Sequence, residues 1–229
     1  GSNFIIANDP DADWLAIAEK RPDGSWKIFT GDETGTIFAY YLFHIHKAKG
    51  EDISKLAAVA STVSSKFIKK MAEVEGFHFA EVLTGFKWIG NKAIELDEKG
   101  YKTFFSYEEA IGHCVGNLVR DKDGVCAASV IAQLYVKLCQ EGTTFYDYLQ
   151  NIYKKYGYFV TKNYYFINYD KSKMAQMFAE IRQPQYPESV GKYKIKYIRD
   201  LTDGYDNSKP DNKPVLPVSK SSEMITFIF

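Results

Sequence analysis

The chain has no excess of either charge, no close pair of cysteines, no apolar run long enough to span a bilayer and no histidine at ligand spacing with its cluster of aspartates. Each absence removes a class of function. Lys plus Arg and Asp plus Glu number 29 each in 229 residues, so no basic face is available to a polyphosphate backbone and nucleic acid is set aside as a partner. Cys114, Cys126 and Cys139 form no CxxC pair, which excludes a zinc site or redox motif of the usual spacing and fits reduced core thiols in a cytoplasmic protein. The most apolar helical candidate is broken by His44, His46 and Lys47, so no membrane span is expected, and no signal peptide opens the chain. His44, His46, His78 and His113 are read as surface or core residues.

What is present is ample apolar material, 45% hydrophobic and 16% aromatic, enough for one large domain or two ordinary ones. Strand-like and helix-like stretches alternate. Trp26 to Phe29 reads as a strand, followed by a helix capped by Asp32 with the stripe Ile37, Phe38, Tyr41, Leu42 and Ile45. A strand Leu56 to Ala60 leads into the hydroxyl-rich loop Ser61 to Ser65, a helix through Met71 and Val74, and a strand Phe77 to Leu83. A helix Trp88 to Glu98, a strand Lys102 to Phe105 and a helix opened by Asp123-Gly124 continue the rhythm. The fold class expected is α/β, a mixed, mainly parallel sheet with helices on both faces and active loops at the carboxyl ends of its strands. From Tyr158 the texture changes to a strand-like Tyr/Phe run, a helix Met174 to Ile181, a strand Tyr193 to Arg199 and a Pro/Asp/Lys-rich stretch. This suggests a partial α+β unit with its boundary at Tyr156-Gly157. Met224 to Phe229 reads as a strand without a partner, as at a cut chain end, and Gly1-Ser2 as a cloning remnant.

The most informative run is Asn8-Asp9-Pro10-Asp11-Ala12-Asp13-Trp14, three carboxylates at alternate positions in a tight turn between the apolar segments 4–7 and 15–18. Two carboxylates about 4 Å apart repel by roughly 4 kcal/mol at an effective dielectric near 20. The turn is either a solvated acidic loop or a clamp for a divalent ion, and all-oxygen ligation favours magnesium over zinc or copper. It is not an EF-hand: counted from Asp9, the positions that need Gly and a bidentate Glu hold Trp14 and Lys20.

Three further loops bear chemistry. In Thr84-Gly85-Phe86-Lys87, the glycine, the helix start and the lysine suit an anion, though an ordinary strand-to-helix turn has the same composition. Glu108 and Glu109 either open a short helix or offer a carboxylate to sugar hydroxyls. Lys122 lies in a charged capping turn or faces a phosphorylated ligand.

Taken in order, Asn8 to Asp13, Thr84-Gly85-Phe86-Lys87-Trp88, Glu108-Glu109-Ala110-Ile111-Gly112 and Lys122-Asp123-Gly124 resemble the α-D-phosphohexomutase superfamily. With Gly76 to Phe79, Ile198 to Thr202 and Lys220 to Phe227, the likeness is to its phosphopentomutase and glucose 1,6-bisphosphate synthase branch, over essentially the whole chain. The resemblance implies a four-domain phosphosugar mutase. Residues 1–30 would be the end of the second domain with the metal loop, 31–157 the third, sugar-recognising domain, and 158–229 a truncated fourth. The family's phosphoserine loop would lie upstream and its carboxyl-terminal phosphate clamp downstream, so the fragment alone is expected to be inactive.

By the same resemblance, Asp9, Asp11 and Asp13 would hold Mg²⁺, and Glu108 would accept sugar hydroxyls. Thr84, Gly85 and Lys87 would face the ligand, and Lys122 would act electrostatically or in proton transfer. The partners implied are sugar phosphates and sugar bisphosphates. Two departures stand out. Trp14 occupies the place of the family's usual Arg, which also admits a non-catalytic phosphosugar-binding relative. Ala110 stands where hexose-specific relatives commonly have Ser, as in the pentose-phosphate branch.

Overall fold

The computed structural model describes residues 1–229, apart from the side chain at position 171, and the chain divides into two compact units, residues 1–161 and 162–229. The first unit opens with the antiparallel sheet β1 (Phe4–Ala7), β2 (Ala16–Lys20) and β3 (Trp26–Ile28), in that order. The helix α1 (Gly31–Ala48) is capped by Thr30. Its hydroxyl accepts the Glu33 N–H while the Glu33 carboxylate accepts the Thr30 N–H. Asp32 is therefore not the cap that the sequence suggests: the Thr-x-x-Glu pairing outcompetes it. Asp32 is instead buried, and its Oδ1 accepts the Ser65 N–H at 2.8 Å and the Tyr107 hydroxyl at 2.9 Å.

The elements that follow are β4 (Leu56–Ser61), α2 (Phe67–Glu75), β5 (His78–Val82), α3 (Phe86–Glu98), β6 (Lys102–Glu108), β7 (Gly112–Val115), α4 (Gly124–Gln140) and α5 (Phe145–Tyr156). The sheet order is β5-β4-β6-β7, parallel across the first three strands, with β7 antiparallel at the edge. Side chains alternate along β4. Leu56, Ala58 and Ala60 enter a core shared with α1, α2, α4 and α5, whereas Ala57 and Val59 face Ile89, Ala93 and Leu96 of α3. Helices thus cover both faces, as the alternation of elements requires. A register shift opposite Ala57 and Ala58 places Phe104 out of step, so that adjacent Phe104 and Phe105 both join the larger core.

Several expectations are corrected. Glu108 and Glu109 do not open a helix; Glu108 ends β6 and pairs with Gly112 across a hairpin. Glu109-Ala110-Ile111 is too short for a helical turn, and antiparallel pairing on both sides claims its flanks. Val74 is exposed rather than part of the α2 stripe. The sequence reading did not anticipate α5, although Phe145, Leu149, Ile152, Tyr153 and Tyr156 recur at helical spacing and are buried, and Thr144 caps it through the Asp147 N–H. The buried Glu19 carboxylate adds a remote cap, accepting the Phe145 and Tyr146 N–H groups at 2.8 and 3.0 Å. Of the three cysteines only Cys114 is in the core; Cys139 is exposed, because α4 turns that position outward.

The second unit holds α6 (Lys171–Arg182), β8 (Ser189–Val190), β9 (Tyr193–Lys194), β10 (Tyr197–Asp200), β11 (Tyr205–Asp206) and β12 (Ile225–Ile228). Arg182 ties α6 to this sheet through the buried Asp200, at 2.6 Å, and through Glu223, at 2.6 Å. The single strand expected over Tyr193 to Arg199 is two, because the chain turns at Ile195 to bond with Glu188. The Tyr/Phe run after Tyr158 forms no strand, and among the described residues no backbone pairs with it. Met224 to Phe229 is not partnerless: β12 pairs antiparallel with β10. Among the described residues, no helix is long and apolar enough to cross a membrane.

The acidic turn between β1 and β2 is fixed by backbone bonds to distant elements. Leu15 N–H reaches the Ile111 carbonyl at 3.2 Å, Gly124 N–H reaches the Ala12 carbonyl at 3.0 Å, and Trp14 bridges to Gly112. A Cβ at Gly124 would collide with the carbonyls of Ala12 and Trp14. These are backbone atoms that cannot swing aside. Gly124→Ala is therefore expected to cost about 1–3 kcal/mol by overpacking, measured as a lowered denaturation midpoint with unchanged slope.

At the far end of the unit, Glu75 joins the last turns of α1, α2 and α5 by accepting from Lys155 at 2.6 Å, the Tyr156 hydroxyl at 2.6 Å and Lys47 at 3.0 Å. Burial works against its charge, but these three donors outweigh burial and hold the carboxyl at about 2 against an ordinary 4.5. Because the folded-state value lies below the unfolded one, its contribution is complete above about pH 5 and fades as pH falls towards 2. Acid titration of stability should lose about 1–3 kcal/mol across that window, and Glu75→Gln should abolish most of that slope.

Candidate functional site

Asp9, Asp11 and Asp13 each offer a carboxylate oxygen within 4.8 Å of the others. The spacing results from a reversal of the chain: Ala12 N–H bonds to the Asp9 carbonyl at 3.0 Å, and Ala12 takes a left-handed φ of 59°. Asp9 Oδ1 accepts the Trp14 N–H at 3.0 Å, and the Asn8 amide donates to the Trp14 carbonyl at 2.6 Å, closing the loop on itself. The crowding sets the two carboxyls apart. A hydrogen bond from Asp11, together with the Trp14 N–H, lowers the Asp9 value, while the same contact and the charges of Asp9 and Asp13 raise that of Asp11. The opposite shifts of the two neighbours are what like charges held close together produce.

The positive charge nearest the cluster is Lys122, in the turn that leads into α4. Its Nζ lies 2.8 Å from Asp13 Oδ2 and 5.4 Å from the centre of the Trp14 ring. Glu108, at the end of β6, is 8% exposed. Burial raises its pKa, and Lys122 works in the opposite direction, as does a backbone N–H from Gly85. For Lys122, burial opposes the charge, but Asp13, Glu108 and Asp121 outweigh it and raise its value. Gly112, opposite Glu108 in the hairpin, makes room for both: a Cβ there would lie 2.6 Å from Lys122 Cδ and 3.1 Å from Glu108 Cγ. The acidic turn, Lys122 and Glu108 therefore form one continuous charged cluster, with Gly85 at its border.

Other residues expected from the sequence stand further out. Gly85 precedes α3 with a φ of 104°, a backbone conformation favouring glycine, but Thr84 and Lys87 are exposed, with Lys87 over the Trp88 ring. Ala110 is exposed at the hairpin tip. Ser61 and Ser64, of the hydroxyl-rich loop after β4, are buried and bonded to Glu109. Asp123 caps α4 by accepting the Cys126 N–H at 2.8 Å. His113 lies among Phe38, Phe105 and Tyr107, and burial drives its pKa down to about 4, so it is a neutral core residue. The sequence reading missed Gly112 and Gly124 as spacers; the signal was their place directly beside the charged residues they accommodate.

A family model for phosphoglucomutase/phosphomannomutase, alpha/beta/alpha domain III, matches residues 30–156. Over its full length the chain is 46% identical to a phosphopentomutase of Homo sapiens, covering 38% of that protein. It is 46% identical over 99% of its length to a probable phosphoribomutase of Schizosaccharomyces pombe, covering 39% of it. It is 44% identical to a glucose 1,6-bisphosphate synthase of Pongo abelii, again covering 38%. The chain thus spans well under half the length of the curated relatives it matches. The structure of a putative phosphomannomutase from Thermus thermophilus superposes with a TM-score of 0.52 at 22% identity, covering 66% of this chain and 30% of that one, a likeness of fold. With a mainly parallel sheet, loops gathered at its carboxyl ends and a domain model spanning more than half its length, the chain belongs to the phosphoglucomutase/phosphomannomutase family.

Proposed function

We propose that the full-length protein is a phosphosugar mutase acting on ribose 1- and 5-phosphates, on glucose 1- and 6-phosphates, or on both, and that this chain supplies its sugar-reading and metal-holding parts. On this reading residues 1–30 belong to the metal-bearing domain, 31–157 to the sugar-recognising domain and 158–229 to a further domain. The observation that carries the proposal is the Asp13–Lys122–Glu108 cluster, which brings a carboxylate turn and a buried carboxylate from two different sheets to one cation.

Three carboxylate oxygens within 4.8 Å of one another suit a hard divalent cation, and Asp9, Asp11 and Asp13 would hold Mg²⁺. When bound, the ion supplies positive charge against the phosphoryl oxygens during transfer. Glu108 is a two-oxygen acceptor for sugar hydroxyls, and its burial strengthens those bonds. The raised pKa of Lys122 keeps it protonated at neutral pH, so its role is electrostatic rather than that of a base. Thr84, Gly85 and Lys87 border the ligand, with Lys87 free to turn towards a phosphate. Ala110 offers no hydroxyl at the hairpin tip, which favours a pentose over a hexose that needs that contact.

A second reading is supported by Trp14. Where the family usually carries an Arg, an indole covers Lys122, and a phosphosugar-binding protein without turnover has the same sheet and loops. A sugar 1,6-bisphosphate synthase is a third member of this set, through the relative of that name.

Full-length protein given ribose 1-phosphate or glucose 1-phosphate, Mg²⁺ and a catalytic amount of the bisphosphate should form the isomeric phosphate, and Asp11→Asn should abolish it. Binding without isomerisation, with activity appearing in Trp14→Arg, would establish the sensor reading. Calorimetry on the 229-residue chain should give weak Mg²⁺ binding that disappears in Asp11→Asn, because Lys122 already occupies one Asp13 oxygen.

A further inference from the structure

The second glutamate of the hairpin is anchored in a way the proposed chemistry does not use. Ser61 and Ser64 are 1% and 3% exposed, and their Oγ atoms lie 2.7 Å apart. Glu109 Oε2 accepts from Ser61 Oγ at 3.0 Å and from Ser64 Oγ at 3.2 Å, and the Glu109 N–H donates to Ser64 Oγ at 3.1 Å. Each serine has one hydroxyl proton, so two protons serve three oxygen–oxygen contacts and the three groups depend on one another. On its other side, the Glu109 carbonyl packs so closely on Gly31 that any Cβ there would collide with it. Glu109 is therefore held at its side chain, its N–H and its carbonyl.

The turn it belongs to does not hold itself. Ile111 has a φ of 54°, a left-handed conformation that costs a β-branched residue about 1–3 kcal/mol and persists only where its surroundings impose it. Successive side chains at the end of a strand point to opposite faces. Glu109 turns to Ser61 and Ser64, and Glu108 turns to Gly112 and Lys122. Fixing one of the pair fixes the direction of the other.

We propose that Glu109 is a positioning residue: its bonds to Ser61 and Ser64 lock the hairpin so that the Glu108 carboxylate is aimed at the hydroxyls of the sugar phosphate. This rests on the phosphosugar mutase reading. A glutamate that only braced the sheet would lower stability and leave the kinetics of the folded enzyme unchanged.

The test uses full-length protein, with mutase kinetics and thermal unfolding measured on the same preparations. Glu109→Ala should raise KM for the sugar phosphate about tenfold or more while kcat stays within about threefold, the pattern of a lost binding contact. Glu109→Gln keeps a carbonyl acceptor for the serine hydroxyls and should bring KM back to within about threefold of the parent. The double variant Ser61→Ala, Ser64→Ala removes the anchor from the other side and should reproduce the KM rise, which keeps the test available if Glu109→Ala does not fold. An unchanged KM in folded Glu109→Ala, or in the double serine variant, overturns the positioning role even if stability falls. Absence of isomerisation by the parent protein overturns the mutase reading instead.

Discussion

The ammonium of Lys122, held 2.8 Å from Asp13 and beside the buried Glu108, is the contact on which the arrangement of the site depends. Glu108 has little solvent to stabilise its charge, and a carboxyl in that position drifts towards its protonated form unless a cation offsets the desolvation. Asp13 sits in a turn already crowded with like charge. One lysine faces both, opposing but not cancelling the effect of burial on Glu108, and so links a turn from the first sheet with a hairpin from the second. The Trp14 ring lies over the same ammonium and adds a cation–π contact of about 0.5–2 kcal/mol, according to how far water is excluded.

The backbone brings the two ends of that contact together. Parallel pairing of β5, β4 and β6 places three strand ends on one edge, so the loops after them emerge together. The β6–β7 hairpin then bends back and offers Ile111 and Gly112 as partners for the end of the acidic turn. Gly31 and Gly124 let main chains approach where any side chain would intervene, and Gly112 leaves room for the Lys122 and Glu108 side chains. Small residues at the starts of two helices thus do as much to shape the site as the charged residues themselves.

Similarity to the curated relatives extends over the whole chain at 46% identity, yet covers 38% of a phosphopentomutase. The domain model falls on the first unit, which carries the clustered charges. The second unit is braced by its own ion-pair network, in which Arg182 joins Asp200 and Glu223 and is held firmly in its charged form. Sharing two carboxylates, one of them fully buried, makes that arginine a structural element of the unit.

The sequence alone determined the features that arise within a few residues: the acidic turn, the β/α alternation, the Asp123 cap, and the loops that follow strands. Turn chemistry, period and capping are local, and a chain of any tertiary fold would express them. Where two local signals compete, pairing with other residues of the chain decides between them. Asp32 lost to the Thr30–Glu33 pairing, and Glu108-Glu109 looked like a helix start until antiparallel pairing with Gly112 claimed it. Only the tertiary structure decided which of two adjacent glutamates faces the cation, that Ser61 and Ser64 turn inward, and that Lys122 meets Asp13 rather than solvent. Those outcomes depend on register and close backbone approach between segments far apart in the chain, where shifting a strand by one residue exchanges every inward side chain for its outward neighbour.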